Sequence, residues 1–232
     1  MLRLFTDFDG PIVDVSERYY RVYQFCLAKT QRPGQAVRQL SKQEFWQLKR
    51  ARVPEAQIAL KSGLEEAQAQ EFSQLRRKTV HTKEYFDYDT LMPGAVETLV
   101  KIQEAGIDLA VMTMRRVWEL DFAFKKFDLD RFFPENRCYC LANDYVKTRD
   151  IEDKPLLMAK ALKELSPIAD TWMVGDTEAD ITAAKKHNIK AIAVESGIRD
   201  RAQIELYHPD YIVPNLSSAF ALIVENRTLV LK

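Results

Sequence analysis

The sequence predicts an α/β fold in which a parallel sheet is interrupted after its first strand by a helical insert. Three observations lead to this prediction. An apolar run opens the chain at residues 2–6, and helical patterns then continue over residues 16–83 with no strand candidate between them. From residue 93 onward, short apolar runs alternate with helical patterns, which is typical of right-handed β-α-β crossovers in a parallel sheet.

Composition and charge limit the classes of function. The chain has 232 residues, of which 47% are hydrophobic, and this is enough to bury a substantial core. Lys plus Arg and Asp plus Glu number 34 each, so no overall field attracts nucleic acid or an acidic membrane. No apolar stretch has the length of a membrane-spanning helix, and acidic residues begin too early for a signal peptide. Three cysteines give no even disulfide framework. We therefore expect a cytoplasmic protein that binds neither nucleic acid nor membranes, while the oligomeric state is left open.

The first apolar run ends in two closely spaced carboxylates. Residues 2–6 have the length of a buried strand, and Gly10 begins a break in the pattern. Asp7 and Asp9 therefore lie where a strand ends and a loop begins, which is the edge where open α/β sheets bind ligands. Two carboxylates so close repel each other, and they require a cation or a shared proton. From this stretch alone, simple capping of a turn is an equal alternative.

Helix signals follow one another through the insert. A helix with apolar residues at helical spacing begins at Ser16. Ser41 and Glu44 form a capping box for a second helix, and Pro54 begins a short third one. Residues 65–83 have the pattern of a long polar helix. The predicted domains are accordingly a helical domain at 15–89 and an α/β core at 1–14 and 90–232.

Helices and strands alternate after the insert. Gly94 begins a helix that Gly106 ends. The predicted strands cover residues 107–112, 138–141, 171–174, 190–194 and 211–213, and a further edge strand covers residues 228–231. The predicted helices cover residues 118–127, 155–165 and 177–186.

A second group of carboxylates follows the strand at 171–174. The strand ends in Gly and Asp176, and Asp180 falls in the first turn of the next helix. Helix capping would account for either residue alone, but not for two strands that both end in paired carboxylates. If these strands are neighbours, Asp7 and Asp9 meet Asp176 and Asp180 in one crevice. A small set of hard oxygen ligands suits Mg²⁺, with waters and a substrate phosphate completing its coordination.

Two further positions bring a hydroxyl and an amine toward the same edge. Thr113 ends the strand at 107–112, and Lys154 lies at the start of the helix at 155–165. A single lysine is usually a solvated surface group. A buried carboxylate cluster requires a compensating cation, however, and this favours a functional role for Lys154.

Together these residues resemble the haloacid dehalogenase superfamily, whose members are mostly magnesium-dependent phosphatases. The four expected motifs occur in order, as Asp7-Phe8-Asp9-Gly10, Thr113, Lys154-Pro155 and residues 175–180. The insert is placed like the helical cap of the subclass that contains phosphoglycolate phosphatase, β-phosphoglucomutase and phosphonatase. The resemblance covers the whole chain, and it implies a Rossmann-like parallel sheet core with an inserted α-helical cap domain.

The resemblance also implies a role for each matched residue. Asp7 is implied to be the nucleophile that forms an aspartyl-phosphate, and Asp9 the general acid and then the base. The implied Mg²⁺ ligands are Asp7, Asp9 through its backbone carbonyl, Asp176 and Asp180. Asp180 is alternatively a partner of Lys154. The implied phosphate-binding residues are Thr113 and Lys154.

The implied function is hydrolysis of a small phosphorylated metabolite by an Mg²⁺-dependent phosphatase. The acid at Asp9 favours phosphate chemistry over halide displacement, because true dehalogenases attack carbon without a metal and keep no acid there. A phosphomutase would keep all four motifs, so that alternative stays open. A catalytically silent binding protein on the same fold is a third alternative, and the sequence does not identify the substrate.

Several positions depart from the family pattern. Pro11 replaces the usual Thr or Val, and Met114 replaces the Asn that often follows the motif threonine. Arg115 and Arg116 either clamp a second anionic group of the substrate or lie on a solvated helix start, and the second interpretation is favoured. The third motif lacks its usual second Pro-Asp, which leaves Lys147 as an alternative to the predicted phosphate-binding lysine.

The insert carries two further open questions. Its aromatic residues either line a pocket or form the core of the cap, and the second interpretation is favoured; they are Tyr19, Tyr20, Tyr23, Phe45 and Trp46. A phosphonatase would need a desolvated cap lysine to form a Schiff base. No lysine in the insert is marked as desolvated by its sequence context.

Overall fold

The computed structural model describes residues 2–230, and it contains one parallel sheet enclosed by helices. The strands, numbered in chain order, are β1 (Leu2–Thr6), β2 (Val13–Asp14), β3 (Thr90–Leu91), β4 (Asp108–Arg116), β5 (Cys138–Leu141), β6 (Asp170–Gly175), β7 (Lys190–Val194) and β8 (Tyr211–Val213). Six of these described strands form the sheet in the order β5-β4-β1-β6-β7-β8, with every pair parallel. The predicted α/β fold class is confirmed.

Helices connect the strands and form the insert. They are α1 (Ser16–Thr30), α2 (Lys42–Arg50), α3 (Glu55–Lys61), α4 (Glu66–Thr79), α5 (Lys83–Phe86), α6 (Ala95–Glu104), α7 (Val117–Phe127), α8 (Asp150–Glu164), α9 (Glu178–Lys186), α10 (Arg201–Glu205) and α11 (Leu216–Val230). The helices α1 to α5 all lie between β2 and β3, which pair with each other as a short antiparallel ribbon. The insert is therefore joined to the core through this ribbon.

The sheet is buried on both faces, which explains its continuous apolar strands. Along β1, Leu4 packs in one hydrophobic cluster with Val111 and Trp172. The next residue, Phe5, packs in the cluster on the opposite face. This alternation follows from the two-residue period of a strand, and it fixes which side chains reach each layer of helices.

The helical insert has its own hydrophobic core. Tyr23 stacks on Phe45 with ring centroids 4.8 Å apart and meets Phe72 edge-on. The Tyr23 hydroxyl lies 2.8 Å from the Ser62 hydroxyl and accepts from the Leu40 backbone N–H. The interpretation of the aromatic residues as cap core is confirmed for Tyr23 and Phe45.

Several predicted elements need correction. The strand predicted at 228–231 is wrong, because α11 continues through residue 230; residue 231 lies outside the described residues. The Asn215 side chain accepts from the Ser218 N–H and begins α11, and helix extension then outweighs the β preference of the last residues. The helix predicted at 65–83 is divided into α4 and α5. None of the helices in residues 2–230 combines the length and hydropathy needed to cross a bilayer.

Candidate active site

The carboxyl ends of two neighbouring strands bring Asp7 and Asp176 together. β1 pairs with β6, with Thr6 opposite Val174. The Asp7 backbone N–H donates to the Val174 carbonyl at 2.8 Å and so extends the pairing by one residue. Asp176 directly follows the last residue of β6. The prediction that these two strands are neighbours is confirmed, and both side chains line one cavity.

Asp7, Asp176 and Asp180 form a buried carboxylate cluster. One oxygen of each lies within 4.8 Å of the others, and none of the three residues is more than 7% exposed. Burial raises the pKa of the Asp7 carboxyl well above its ordinary value, although Lys154 acts in the opposite direction. Burial and the adjacent Asp180 raise the pKa of Asp176 to about 7. The cluster therefore has an excess of negative charge that a cation would relieve.

Lys154 contacts this cluster directly. Its Nζ lies 3.0 Å from Asp7 Oδ2 and 2.5 Å from Asp180 Oδ1, and its side chain is 1% exposed. Burial alone would lower the pKa of Lys154, but the two carboxylates outweigh burial and raise it. Because α8 begins at Asp150, Lys154 lies in its second turn rather than at its start. The alternative residue Lys147 pairs instead with Asp150, at 2.7 Å.

The carboxylate oxygens of Asp176 and Asp180 differ in their hydrogen-bond and ion-pair partners. Asp176 Oδ2 accepts from the Ile198 N–H at 2.6 Å, whereas its Oδ1 is buried and has no hydrogen-bond partner among the described residues. Asp180 Oδ2 accepts from the N–H and the hydroxyl of Thr177, and its Oδ1 faces Lys154. Asp176 thus offers an open oxygen to a hard cation, and this donor set fits Mg²⁺. Both oxygens of Asp180 are already engaged by the protein.

Glycines allow the backbone to approach the carboxylates. Gly10 has φ +92°, and a Cβ there would lie 2.5 Å from Asp176 Cγ. A Cβ on Gly197 would lie 1.8 Å from Asp176 Oδ2. Side chains at either position would displace Asp176. Gly10 lies in a turn between residues 8 and 13 whose hydrogen bonds come from the N–H groups of residues 10, 12 and 13. Pro11, which has no N–H, is therefore compatible with this turn.

Asp9 is held by arginines instead of standing free in the cavity. Arg115 donates from Nε and Nη2 to Asp9 Oδ1 at 2.9 and 2.6 Å, and Arg18 lies 3.5 Å from Asp9 Oδ2. The same two arginines contact Asp89, at 2.5 Å from Arg115 and 2.9 Å from Arg18. Burial alone would raise the pKa of Asp9, but Arg115 and Arg18 outweigh it and lower that pKa.

The favoured interpretation of Arg115 and Arg116 as a solvated helix start is wrong for Arg115. Arg115 is 2% exposed and is paired with two carboxylates. Asp9 and Asp89 engage its Nε and Nη2, while its Nη1 is buried without a hydrogen-bond partner among the described residues. Arg116 precedes α7, and its guanidinium donates to the backbone carbonyls of Asn143 and Tyr145.

Thr113 and Met114 line the same cavity. β4 continues to Arg116, so Thr113 lies within the strand and not at its end as predicted. The Thr113 hydroxyl accepts from the Arg115 N–H at 3.2 Å. An accepting hydroxyl keeps its own proton, so Thr113 retains a donor for a phosphoryl oxygen.

The structure also brings residues to the cavity that sequence reasoning did not select. Lys49 and Arg76 reach it from the insert, and Arg199 reaches it from the loop after β7. Arg199 follows an apolar strand and a Ser-Gly pair. The argument that residues after the ends of parallel strands meet at one edge of the sheet would therefore also have selected Arg199 after β7. Burial lowers the pKa of Lys49 to about 8, so the cap does contain a desolvated lysine. No local pattern in the sequence distinguishes Lys49 or Arg76 from the other basic residues of the insert.

Most of the chain matches the sequence profile of a known protein family. The sequence profile of the haloacid dehalogenase-like hydrolases matches residues 3–188. The chain belongs to this family. The resemblance seen in the four motifs is thereby confirmed at the level of the family.

Relatives in the family carry phosphatase names. Pyrophosphatase PpaX from Bacillus mycoides is 26% identical over 137 residues, which cover 59% of this chain and 60% of PpaX. The chain thus aligns with about three fifths of the length of this curated relative.

Solved structures confirm the fold, including the helical insert. A protein described as a predicted phosphatase from Clostridium acetobutylicum has a TM-score of 0.69 at 19% identity, covering 97% of this chain and 98% of its own. A predicted phosphoglycolate phosphatase from Haemophilus somnus has a TM-score of 0.64 at 18% identity, covering 95% and 96%.

Proposed function

We propose that this protein is an Mg²⁺-dependent phosphatase that hydrolyses a small phosphorylated compound through an aspartyl-phosphate intermediate. One observation carries the proposal: Asp7 lies 3.0 Å from Lys154 and beside Asp176, whose buried Oδ1 has no partner among the described residues. A carboxylate nucleophile, a cation for phosphoryl oxygens and an open metal ligand therefore share one cavity.

In the first proposed step, Asp7 attacks the phosphorus of the bound substrate. A P–O bond to the Asp7 carboxylate forms while the P–O bond to the leaving group breaks, and the leaving oxygen keeps the electron pair. In this step, Lys154 and the Thr113 hydroxyl bind the phosphoryl oxygens. Positioning and charge neutralisation of this kind supply most of the catalysis in phosphoryl transfer.

In the second proposed step, water attacks the phosphorus of the aspartyl-phosphate and releases Asp7. Asp9 takes a proton from this water as the new P–O bond forms. The pairing with Arg115 favours the anionic form of Asp9, which is the form that this step requires. The acid role in the first step requires the protonated form, so the geometry supports the base role of Asp9 more strongly.

The residues that would hold Mg²⁺ are Asp7 and Asp176 through their carboxylates and Asp9 through its backbone carbonyl. When bound, the ion supplies positive charge that lets an anionic carboxylate approach an anionic phosphoryl group. Asp180 is engaged by Lys154 and Thr177, and we therefore assign it to positioning Lys154.

The size of the cavity supports a small substrate. Its volume is about 290 Å³, near the lower end of the range of about 300 to 1,000 Å³ for ligand pockets. The names of PpaX and of the structural neighbour from Haemophilus somnus, a pyrophosphatase and a phosphoglycolate phosphatase, are consistent with a substrate of this size.

The test is phosphate release from a panel of small phosphorylated compounds, with Mg²⁺ and again with EDTA. We expect metal-dependent release from at least one compound. The Asp7→Asn variant should lose at least about four orders of magnitude in kcat, as is found when a covalent nucleophile is removed. Asp121→Asn on the exposed side of α7 is the matched control and should keep full activity.

Three results would contradict the proposal. Release that continues in Asp7→Asn would exclude Asp7 as the nucleophile. Transfer of the phosphoryl group to a second hydroxyl, with no inorganic phosphate formed, would indicate a phosphomutase. A folded protein that binds Mg²⁺ and turns over no compound would indicate the silent binding protein.

A further inference from the structure

The cap side of the cavity carries basic side chains that the proposed chemistry does not use. Lys49 lies in the last turn of α2, and Arg76 lies near the end of α4. Both line the cavity, and their side chains are 12% and 17% exposed. They are therefore largely removed from bulk water, where a charge has to be compensated by something nearby.

Lys49 and Arg76 share one carboxylate. Both contact Glu55 Oε1, with Arg76 Nε at 3.1 Å and Lys49 Nζ closer still. Burial lowers the pKa of Lys49 to about 8, and repulsion by Arg76 and Arg199 adds to the effect of burial. Two cations against one anion leave a surplus of positive charge that a bound anion would neutralise.

The guanidinium of Arg76 is held in place while its two terminal nitrogens are free to donate hydrogen bonds to a ligand. Its guanidinium lies over the Tyr19 ring, 4.7 Å from the ring centroid, and its Nε faces Glu55. Its two terminal nitrogens have no hydrogen-bond partner among the described residues. A guanidinium held in this way presents a planar fork that fits a carboxylate or a phosphate.

The other two arginines that line the cavity each have two guanidinium nitrogens paired with carboxylates, and the third nitrogen of Arg115, Nη1, is buried without a hydrogen-bond partner among the described residues. Arg115 is paired with Asp9 and Asp89. Arg199 binds Glu178 through Nε at 2.8 Å and through Nη2 at 3.1 Å. Arg76, with Lys49 beside it, is thus the arginine of the described cavity that keeps a free pair of donors.

We propose that Lys49 and Arg76 bind a second anionic group on the leaving group of the substrate. The substrate class is then a small phosphorylated compound whose leaving group carries a phosphate or a carboxylate. This inference rests on the proposed function, because it assigns the transferred phosphoryl group to Asp7 and Lys154 on the core side. Both pairs of residues line the same cavity of about 290 Å³, so one small molecule would have to carry both anionic groups.

The test compares substrates that differ in the second anion. 2-Phosphoglycolate and ethyl phosphate differ by a carboxylate in place of a methyl group, and inorganic pyrophosphate carries a phosphate there. We expect the wild-type kcat/KM to be about 10- to 100-fold higher for an anionic leaving group than for ethyl phosphate, as charge-assisted hydrogen bonds predict. The better of the two anionic compounds identifies which anion the cap selects.

Variants locate the effect in the cap. Arg76→Met should raise KM for the preferred anionic substrate about 10- to 100-fold and lower kcat/KM for ethyl phosphate far less. Arg76→Lys keeps the charge without the fork and should fall between Arg76→Met and the wild type. Arg77→Met, at the exposed next residue of α4, is the matched control for Arg76→Met. If Arg76→Met does not fold, Lys49→Met tests the same surplus charge, with the exposed Lys61→Met as its control.

Four results would overturn the inference. Equal wild-type kcat/KM for ethyl phosphate and both anionic compounds would leave the proposed phosphatase intact and remove only the second-anion site. The same is true if Arg76→Met and Lys49→Met lower activity equally on all compounds. Borohydride inactivation that requires 2-phosphonoacetaldehyde, and that Lys49→Met abolishes, would make Lys49 a Schiff-base nucleophile instead. Absence of phosphate release from every compound would overturn the proposed function, and this inference with it.

Discussion

The core side and the cap side of the cavity are built by different means. On the core side, carboxylates at the ends of two paired strands are buried against backbone N–H groups, glycines and Lys154. On the cap side, Lys49 and Arg76 come from helices whose insert has its own hydrophobic core. The sheet therefore fixes the groups assigned to chemistry, whereas the groups assigned to substrate choice belong to an insert that packs around a hydrophobic core of its own.

A network of four charged residues joins the two sides. Asp9 belongs to the core and Arg115 to the end of β4, while Arg18 belongs to α1 of the insert. Asp89 lies directly before β3, at the base of the insert, and contacts both arginines. Movement of the insert relative to the core would therefore alter the contacts of Asp9.

The comparison is tested most strongly by Asp176→Asn, which changes the core side alone. Substitution of a group that only orients a metal ligand lowers metal affinity or activity about 10- to 100-fold. Loss of Asp176 itself should therefore lower kcat by more than about 100-fold. Mg²⁺ should raise the unfolding temperature of the wild type, because an ion that binds the folded state alone stabilises it. The variant should lose this Mg²⁺-dependent rise, measured by calorimetry.

The metal-free variant supplies the control. Asp176→Asn removes a buried charge that repels Asp7 and Asp180, so its metal-free unfolding temperature should not fall below that of the wild type. An equal Mg²⁺-dependent shift in wild type and variant would place the metal elsewhere.

Arg115→Met should have the next largest effect, because it breaks the network between the two sides. It leaves the buried Asp89 carboxylate and the partly exposed Asp9 carboxylate with less compensation, and removing one partner of a buried ion pair costs about 3 to 5 kcal/mol. We expect a loss of this size in the free energy of unfolding, measured in urea.

Arg116→Met is the matched control for this change. Arg116 is half-buried and its guanidinium donates to the backbone carbonyls of Asn143 and Tyr145, so its substitution should lower the free energy of unfolding by about 1 kcal/mol or less. Similar losses in both variants would show that Asp9 and Asp89 do not depend on Arg115.

The smallest expected effect is a pH dependence that belongs to the cap side. Lys49 is charged below about pH 8 and loses its charge as the pH rises above that value. The groups that face it are Glu55, Arg76, Arg199 and the Tyr19 ring. Affinity for the second anion should therefore be full below pH 8, and KM for 2-phosphoglycolate should rise above it by up to about tenfold per pH unit.

The substrate itself does not titrate in this range, because phosphate monoesters lose their last proton near about pH 6. Lys49→Arg remains charged throughout and should show no such rise in KM. If KM for 2-phosphoglycolate depends on pH identically in the wild type and in Lys49→Arg, Lys49 does not take part in substrate binding.

Much of the core could be predicted from the sequence because its chemistry follows strand ends. Each of Asp7 and Asp176 comes directly after an apolar run, and parallel strands bring such positions to one edge. The boundaries of β5, β7 and β8 agree with the predicted strands for the same reason. The sequence predicts a helix start at residue 155, whereas α8 begins at Asp150, so Lys154 lies in the second turn of the helix and not at its start.

The cap side and the network could not be predicted, because their partners are distant in sequence. Arg115 and Asp9 are separated by 106 positions, and the pairing appears only once β1 and β4 lie side by side. Lys49 resembles other basic residues of the insert until the packing of α2, α3 and α4 places it beside Glu55 and Arg76. The sequence therefore shows how many basic residues the insert contains, but not which of them become buried.

The most direct test of the central claim is to identify the phosphorylated residue. Wild-type protein is mixed with Mg²⁺ and a substrate that it hydrolyses, quenched in acid within one turnover, and digested for mass spectrometry. We expect the mass of one added phosphoryl group on the peptide that contains Asp7, and its loss when EDTA replaces Mg²⁺. Phosphorylation of a different residue, or phosphate release with no phosphorylated peptide at any time, would contradict it.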